Sequence, residues 1–192
     1  TFLIFFVIVF LLYLKSNHFF QNKILLVASY IFYGAWEWKY LGLLLTSTIT
    51  DYFCALFIDK SEKKNKKYFV YISIFVNLSL LGVFKYYDFF ALEFSNLVNV
   101  FGIEINPTFL NIVLPIGISF YTFQTISYTV DVYRGKLEPC KNFFDFALYV
   151  SFFPQLVAGP IERGIRFLPQ VLNKRDLNFK NFKQGLYCVF WG

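Results

Sequence analysis

Methionine is missing from the chain, histidine occurs once, cysteine three times, and charged side chains make up only 16% of its 192 residues. Each shortage excludes something. Cys54, Cys140 and Cys188 are odd in number and two of them lie in apolar runs, so no disulfide framework is indicated. One histidine and scattered cysteines leave no metal-ligand spacing, and there is neither a glycine-rich phosphate loop nor a Ser/His/Asp set. His18 has no acidic neighbour and reads as filler in a short connection. A soluble domain would carry about 25% charged residues, so the scarcity of charge argues against one. A formal charge of +6 is compatible with a nucleic-acid partner, but the basic residues are parted by long apolar runs. Without a surface patch, no nucleic-acid partner is expected.

What the chain has instead is apolar bulk: 57% hydrophobic residues, with 28 Phe and 14 Tyr. A spanning helix needs about 20 mostly apolar residues, and that ruler selects Trp38 to Ile58, Phe69 to Phe90 and Phe109 to Val130, the last kinked or unwound by Pro115 and Gly117. Ile24 to Ala35 is short, and Phe2 to Leu14 opens the chain directly after Thr1. Phe143 to Ala158 runs into Pro154, Gly159 and Pro160, which suits a re-entrant helix whose freed backbone is buried in protein. The expected fold class is all-α: one polytopic transmembrane domain over residues 1–192, with about five crossings or part-crossings and a broken, re-entrant helix. The missing methionine, with apolar runs at both ends, reads as a piece of a longer protein. The opening run has no basic flank and no cleavage site, which argues against a signal peptide.

Orientation follows from lysine and arginine. Lys60, Lys63, Lys64, Lys66 and Lys67 crowd the connection Asp59 to Lys67, which is therefore placed in the cytoplasm as a headgroup-facing loop. Alternating crossings put Lys15 to Lys23 and Asp131 to Asn142 on the same side, and Trp36 to Lys39 and Ala91 to Thr108 outside. If Phe143 to Ala158 enters and returns, the basic tail from Gly159 to Lys183 is also inside, leaving only Lys39 and Lys85 off the cytoplasmic face. Trp36 and Trp38 mark an interface.

Polar residues inside apolar runs are costly and so are candidates for function. Asp51 stands mid-span among Thr46, Ser47, Thr48 and Thr50, either as a functional acid or as a carboxylate satisfied by neighbouring hydroxyls. Lys85 and Asp88, three apart, are expected to pair on one helix face. Leu114 to Gly135 is unusually polar, and Ser119, Thr122, Gln124 and Ser127 need partners at a helix interface or in a hydrated cavity. Phe152 to Arg163 sets Glu162 and Arg163 beside a helix break, where they can hold a loop or contact a carrier or phosphate.

The runs LPIGISFYTFQTISYTVDVYRG (Leu114 to Gly135), FFPQLVAGPIER (Phe152 to Arg163) and FLPQ (Phe167 to Gln170) resemble the membrane-bound O-acyltransferases. The likeness is to the bacterial alginate O-acetyltransferase branch, with the D-alanyl transfer proteins of teichoic acid as cousins. Phe32 to Trp38 and the pair Asp51, Tyr52 also fit. The resemblance implies a multi-pass enzyme of the bacterial inner membrane that passes an acyl group, usually acetyl, from a cytoplasmic-side donor to hydroxyls of an extracytoplasmic polysaccharide. It implies an acyl donor such as acetyl-CoA or an acyl carrier-linked thioester, no bound cofactor or metal, and donor or accessory acetylation proteins as partners. The family's membrane-embedded histidine is expected beyond Gly192, so no catalytic residue is assigned here and this stretch alone is expected to be inactive. By the same likeness Tyr121, Gln124, Gln155, Glu162 and Arg163 are expected to line or scaffold an acyl tunnel. Arg163, Arg166, Lys174 and Arg175 form a basic face suited to an anionic donor. Two other readings remain open: a transporter or channel module, suggested by the broken helices and Asp51, and a non-catalytic subunit of a polysaccharide-modifying complex.

Overall fold

The computed structural model describes residues 2–102, 106, 108–110, 114–175 and 178–191, and among them all regular structure is helical. Helix α1 (Phe2–Lys15) turns at Ser16 and Asn17 into α2 (His18–Glu37). At Glu37 the backbone is extended (φ −158°, ψ 103°), and a short 3-10 turn over Trp38–Tyr40 leads into α3 (Leu41–Lys60). After the lysine-rich turn come α4 (Lys63–Leu81), a π-helical turn over Gly82–Tyr86 and α5 (Tyr87–Val100). The second half holds α6 (Ile118–Tyr133), α7 (Phe143–Ser151), α8 (Phe153–Ala158), α9 (Gly164–Leu172) and α10 (Phe179–Trp191). Two helical runs, Phe19–Lys60 and Lys63–Val100, are long and apolar enough to cross a membrane.

Several expected boundaries move, each for a physical reason. The second segment is longer than Ile24 to Ala35, because α2 absorbs the polar residues Gln21, Asn22 and Lys23 into its first turns. The segment expected at Phe69 to Phe90 continues through the π turn to Val100. The outer loop expected at Ala91 to Thr108 is therefore helical in its first half, and Glu104 lies outside the described residues. Phe109 to Val130 is not one kinked helix: Gly117, left-handed at φ 74°, is the N-cap of α6, and Pro115 precedes it. Part of that segment, residues 111–113, lies outside the described residues, as does the side chain of His18. Lys85 and Asp88 do not satisfy each other. The Lys85 ammonium donates to Ser119 Oγ at 2.9 Å, and Asp88 accepts from the Leu110 N–H at 2.8 Å.

Helices α3, α4 and α6 pack on one another, and α7 lies across α2, α3 and α9. Leu44, Ala55, Ile58, Tyr128 and Phe146 form the shared core. The opposite surfaces stay apolar: Leu3, Ile4 and Val7 on α1, and Ile72 and Phe75 on α4, are all exposed. The connection from α6 to α7 is pinned to the bundle by two phenols. Tyr128 Oη accepts from the Cys140 N–H at 2.9 Å, and Tyr52 Oη donates to the Lys141 carbonyl at 2.7 Å. Asn142 then caps α7 by accepting from the Phe144 N–H. Burial pushes the Cys140 thiol up to about 11.

Two outcomes follow. A left-handed backbone costs an L-residue about 1–2 kcal/mol, and a Cβ at Gly117 would also stand 3.4 Å from Leu156 Cδ2. Gly117→Ala should lower the thermal midpoint of the purified protein; an unchanged midpoint would contradict the α6 N-cap described here. Because the thiolate is the reactive form of cysteine, alkylation at pH 8 should spare Cys140 in the folded protein and modify it after unfolding, as mass spectrometry would read.

Candidate functional site

Asp51 is fully buried on α3, and its carboxylate is shared out among neutral donors. Ser73 Oγ and Thr129 Oγ1 donate to Oδ1, the latter at 2.7 Å, and Asn77 Nδ2 donates to Oδ2 at 2.6 Å. Asn77 is in turn held by Ser47 Oγ, which donates to its Oδ1 at 2.5 Å, and its Nδ2 also donates to the Ser73 carbonyl at 2.9 Å. One carboxylate thus ties α3 to both α4 and α6. Donors presented at i and i+4 on α4 (Ser73, Asn77) share a face, which is why one side chain can take both. Asp51 thus has neighbouring hydroxyls and an amide as hydrogen-bond partners on two other helices.

A second polar cluster forms at the helix break. Phe152 has φ −53° and ψ 106°, so α7 stops there and α8 begins one residue later. Such an interruption strands a carbonyl on one side and an N–H on the other. Both are met by side chains from other helices. Gln124 Nε2, reaching from α6, donates to the Tyr149 carbonyl at 2.9 Å. Ser29 Oγ, on α2, accepts from the Phe153 N–H at 3.1 Å and donates its own hydrogen bond to the Leu25 carbonyl at 2.7 Å. Beyond α8, Gln155 Nε2 donates to the Pro160 carbonyl at 3.1 Å and closes the loop before α9. Gly164 starts α9 where an added Cβ would meet Tyr128 and Leu137 at 3.2 and 3.1 Å, so α9 seats directly on α6.

The sequence-expected residues therefore fall into three places. Tyr121 and Gln124 are fully buried on α6, Tyr121 beside Tyr33, whose hydroxyl donates to the Ile116 carbonyl at 3.0 Å. Among the described residues, Gln124 Oε1 and Thr122 Oγ1 have no partner. Gln155 sits at the broken helix, while Glu162 is half-buried and Arg163 and Arg166 are exposed at the α9 entrance. Lys174 and Arg175 follow α9. Arg175 donates from Nε to the Gln170 carbonyl at 2.7 Å, and from Nη2 to Asn22 Oδ1 at 2.7 Å and the Val171 carbonyl at 3.1 Å.

Four contributors escaped the sequence reading. Ser29, Ser73 and Asn77 are polar positions inside apolar runs, the same signal that singled out Asp51. Asn22 donates to Asp145 Oδ1 at 2.8 Å and to the Val171 carbonyl at 3.0 Å, joining α2, α7 and α9. Nothing local distinguishes it from a loop asparagine.

An unmade buried hydrogen bond costs about 1–3 kcal/mol per stranded group. Asp51→Leu, which strands three donors, should therefore lower the unfolding midpoint far more than Asp51→Asn, which keeps an acceptor. Equal losses would remove the network from the account.

No family model matches the sequence, and no solved structure matches it. Among curated proteins, it is 38% identical over 189 residues to the probable alginate O-acetylase AlgI of Pseudomonas putida, covering 96% of this chain and 38% of that protein. The counterpart from Pseudomonas aeruginosa is also 38% identical over 189 residues, covering 96% of this chain and 36% of that one. The peptidoglycan O-acetyltransferase of Helicobacter pylori is 37% identical over 204 residues, covering 92% of this chain and 38% of its own length. The chain spans a little over a third of the length of these relatives.

Proposed function

Because this chain belongs to the membrane-bound O-acyltransferases, in the branch of the alginate O-acetylases, we propose that it is the N-terminal part of an enzyme that esterifies an extracytoplasmic polysaccharide. The acyl group, acetyl by the names of the relatives, leaves a thioester donor on the cytoplasmic side and forms an ester with a sugar hydroxyl. The observation that supports this reading most is the coverage: 38% identity extends over 96% of the chain, through both the polar helix α6 and the broken helix α7–α8. Alginate and peptidoglycan, the polymers in the relatives' names, are both hydroxyl-rich sugar chains, so a sugar hydroxyl is the acceptor class in common. The base that takes the hydroxyl proton is the family's histidine, outside this stretch.

The placement proposed is the bacterial inner membrane, crossed several times. The extended Glu37 divides the apolar run Phe19–Lys60, and its two helices of 20 residues are each about 30 Å long at roughly 1.5 Å per residue. On the orientation set by the basic loops, the α9 entrance faces the cytoplasm and offers Arg163 and Arg166, both exposed, to an anionic thioester or an acidic carrier protein. The buried residues Tyr121, Gln124 and Gln155 support the wall behind that entrance. A transporter reading gains nothing from Asp51, since both its oxygens are already engaged by side-chain donors.

Reversing charge at Arg163 and Arg166 in the full-length protein should weaken donor-dependent acylation at low salt and flatten its salt dependence, as acetyl ester formation on isolated polysaccharide would measure. Unchanged donor kinetics and salt dependence would overturn the assignment of this face to the donor.

A further inference from the structure

A cavity of about 630 Å³ lies apart from the Asp51 network, between α1, the α7–α8 break and α9. That volume is in the range of small-molecule sites, roughly 300–1,000 Å³. It has two chemically different ends. Phe6, Val9, Leu148 and Phe153 line the apolar part, whereas Gln170, Asn173, Lys174 and Arg175 line the other, and no acidic side chain is among the described lining residues.

The two ends are ordered by depth. Phe6, Phe10 and Tyr13 mark successive turns of α1 along the cavity, and seven residues of helix amount to about 10 Å. The Tyr13 end lies beside Lys15 and the α1–α2 turn, and there the Arg175 guanidinium stands 5.9 Å from the Tyr13 ring. Arg175 is held in place through Nε and Nη2 by Gln170, Val171 and Asn22, and Lys174 beside it is exposed. So the cations sit level with the basic turn, and the apolar walls descend from them. On its outer side α1 exposes Leu3, Ile4, Val7, Ile8, Leu11 and Leu12, a surface that places lipid next to the cavity mouth.

We propose that this cavity holds one anionic phospholipid, its phosphate at Lys174 and Arg175 and an acyl chain laid against Phe10, Leu148, Phe152 and Phe153. A single amphiphile matches both ends at once: phosphate is a strong acceptor for adjacent ammonium and guanidinium groups, and basic residues at the cytoplasmic surface attract anionic headgroups. The chain would seat against α8 and the break at Phe152, so the lipid braces the broken helix at residues that Gln124 does not reach. The inference rests on the membrane-spanning reading and not on acyl transfer, and it stands or falls separately from the activity.

The test is native mass spectrometry of the full-length protein in detergent, incubated with phosphatidylglycerol or with phosphatidylcholine of the same chains. One phosphatidylglycerol should be retained under activation that strips phosphatidylcholine. Lys174→Glu, at a side chain with no hydrogen bond or ion pair among the described residues, should lower that retention at least about fivefold, the scale of one basic residue at a charged surface. As a second readout, chain-brominated phosphatidylglycerol should quench the added fluorescence of a Phe10→Trp variant more than brominated phosphatidylcholine does. Equal retention of the two lipids, full retention by Lys174→Glu, equal quenching, or no retained lipid because another part of the protein fills the space would each overturn the proposal.

Discussion

A chain that stops being helical within a packed apolar interior strands backbone polar groups, and no water is at hand to take them. The break at Phe152 imposes that constraint here, with Tyr149 and Ser151 fully buried just before it and Phe153 nearly so just after. It is met from outside the broken helix, by Gln124 on one side and Ser29 on the other. The break is therefore a joint built by three separate helices. Pro154 in the first turn of α8 has no N–H to continue the α7 ladder, so the break is set by the sequence, and the two side chains satisfy the groups it strands.

The Asp51 network sets the position from which Gln124 works. A buried carboxylate with neutral partners is affordable only when its acceptor sites are filled, and Ser73, Asn77 and Thr129 fill them from α4 and α6. In apolar surroundings there is little hydrophobic gain in bringing one helix against another, so interhelical hydrogen bonds and close packing decide the arrangement. Asp51 fixes α6 against α3 and α4 through Thr129. One and a half turns earlier on α6, Gln124 reaches the α7 carbonyl, and Gly164 lets α9 close on Tyr128. Polar side chains thus hold α6 to α3 and α4 and to the α7 carbonyl, and close packing at Gly164 seats α9 on α6.

Much of this was legible in the sequence because the relevant signals are local. Apolar length announced the helices, the Pro and Gly after Phe152 announced a break, and the polar residues of Leu114 to Gly135 announced a helix in need of partners. What escaped was who the partners are. Ser29 and Asn22 are ordinary residues whose roles exist only once α2 lies against α7, and Lys85 finds Ser119, thirty-four positions away, rather than the aspartate three positions along its own helix. Boundaries moved for a related reason: helix propensity carries α2 through Gln21 and Lys23 and α5 to Val100, where hydropathy alone had ended them. Pro115 and Gly117 read as a kink or an unwound stretch, and the structure has the latter, because a left-handed cap and a bend have the same composition.

The joint at Phe152 is tested most directly by a double-mutant cycle between Ser29→Ala and Gln124→Leu, two residues that do not touch each other but hold opposite ends of one break, with unfolding free energy as the readout. If the break is a single cooperative feature, losing either support relaxes it and the second loss costs less, giving an interaction energy of about 0.5 kcal/mol or more. Strict additivity would show that the two hydrogen bonds act independently and that the break is held by something else.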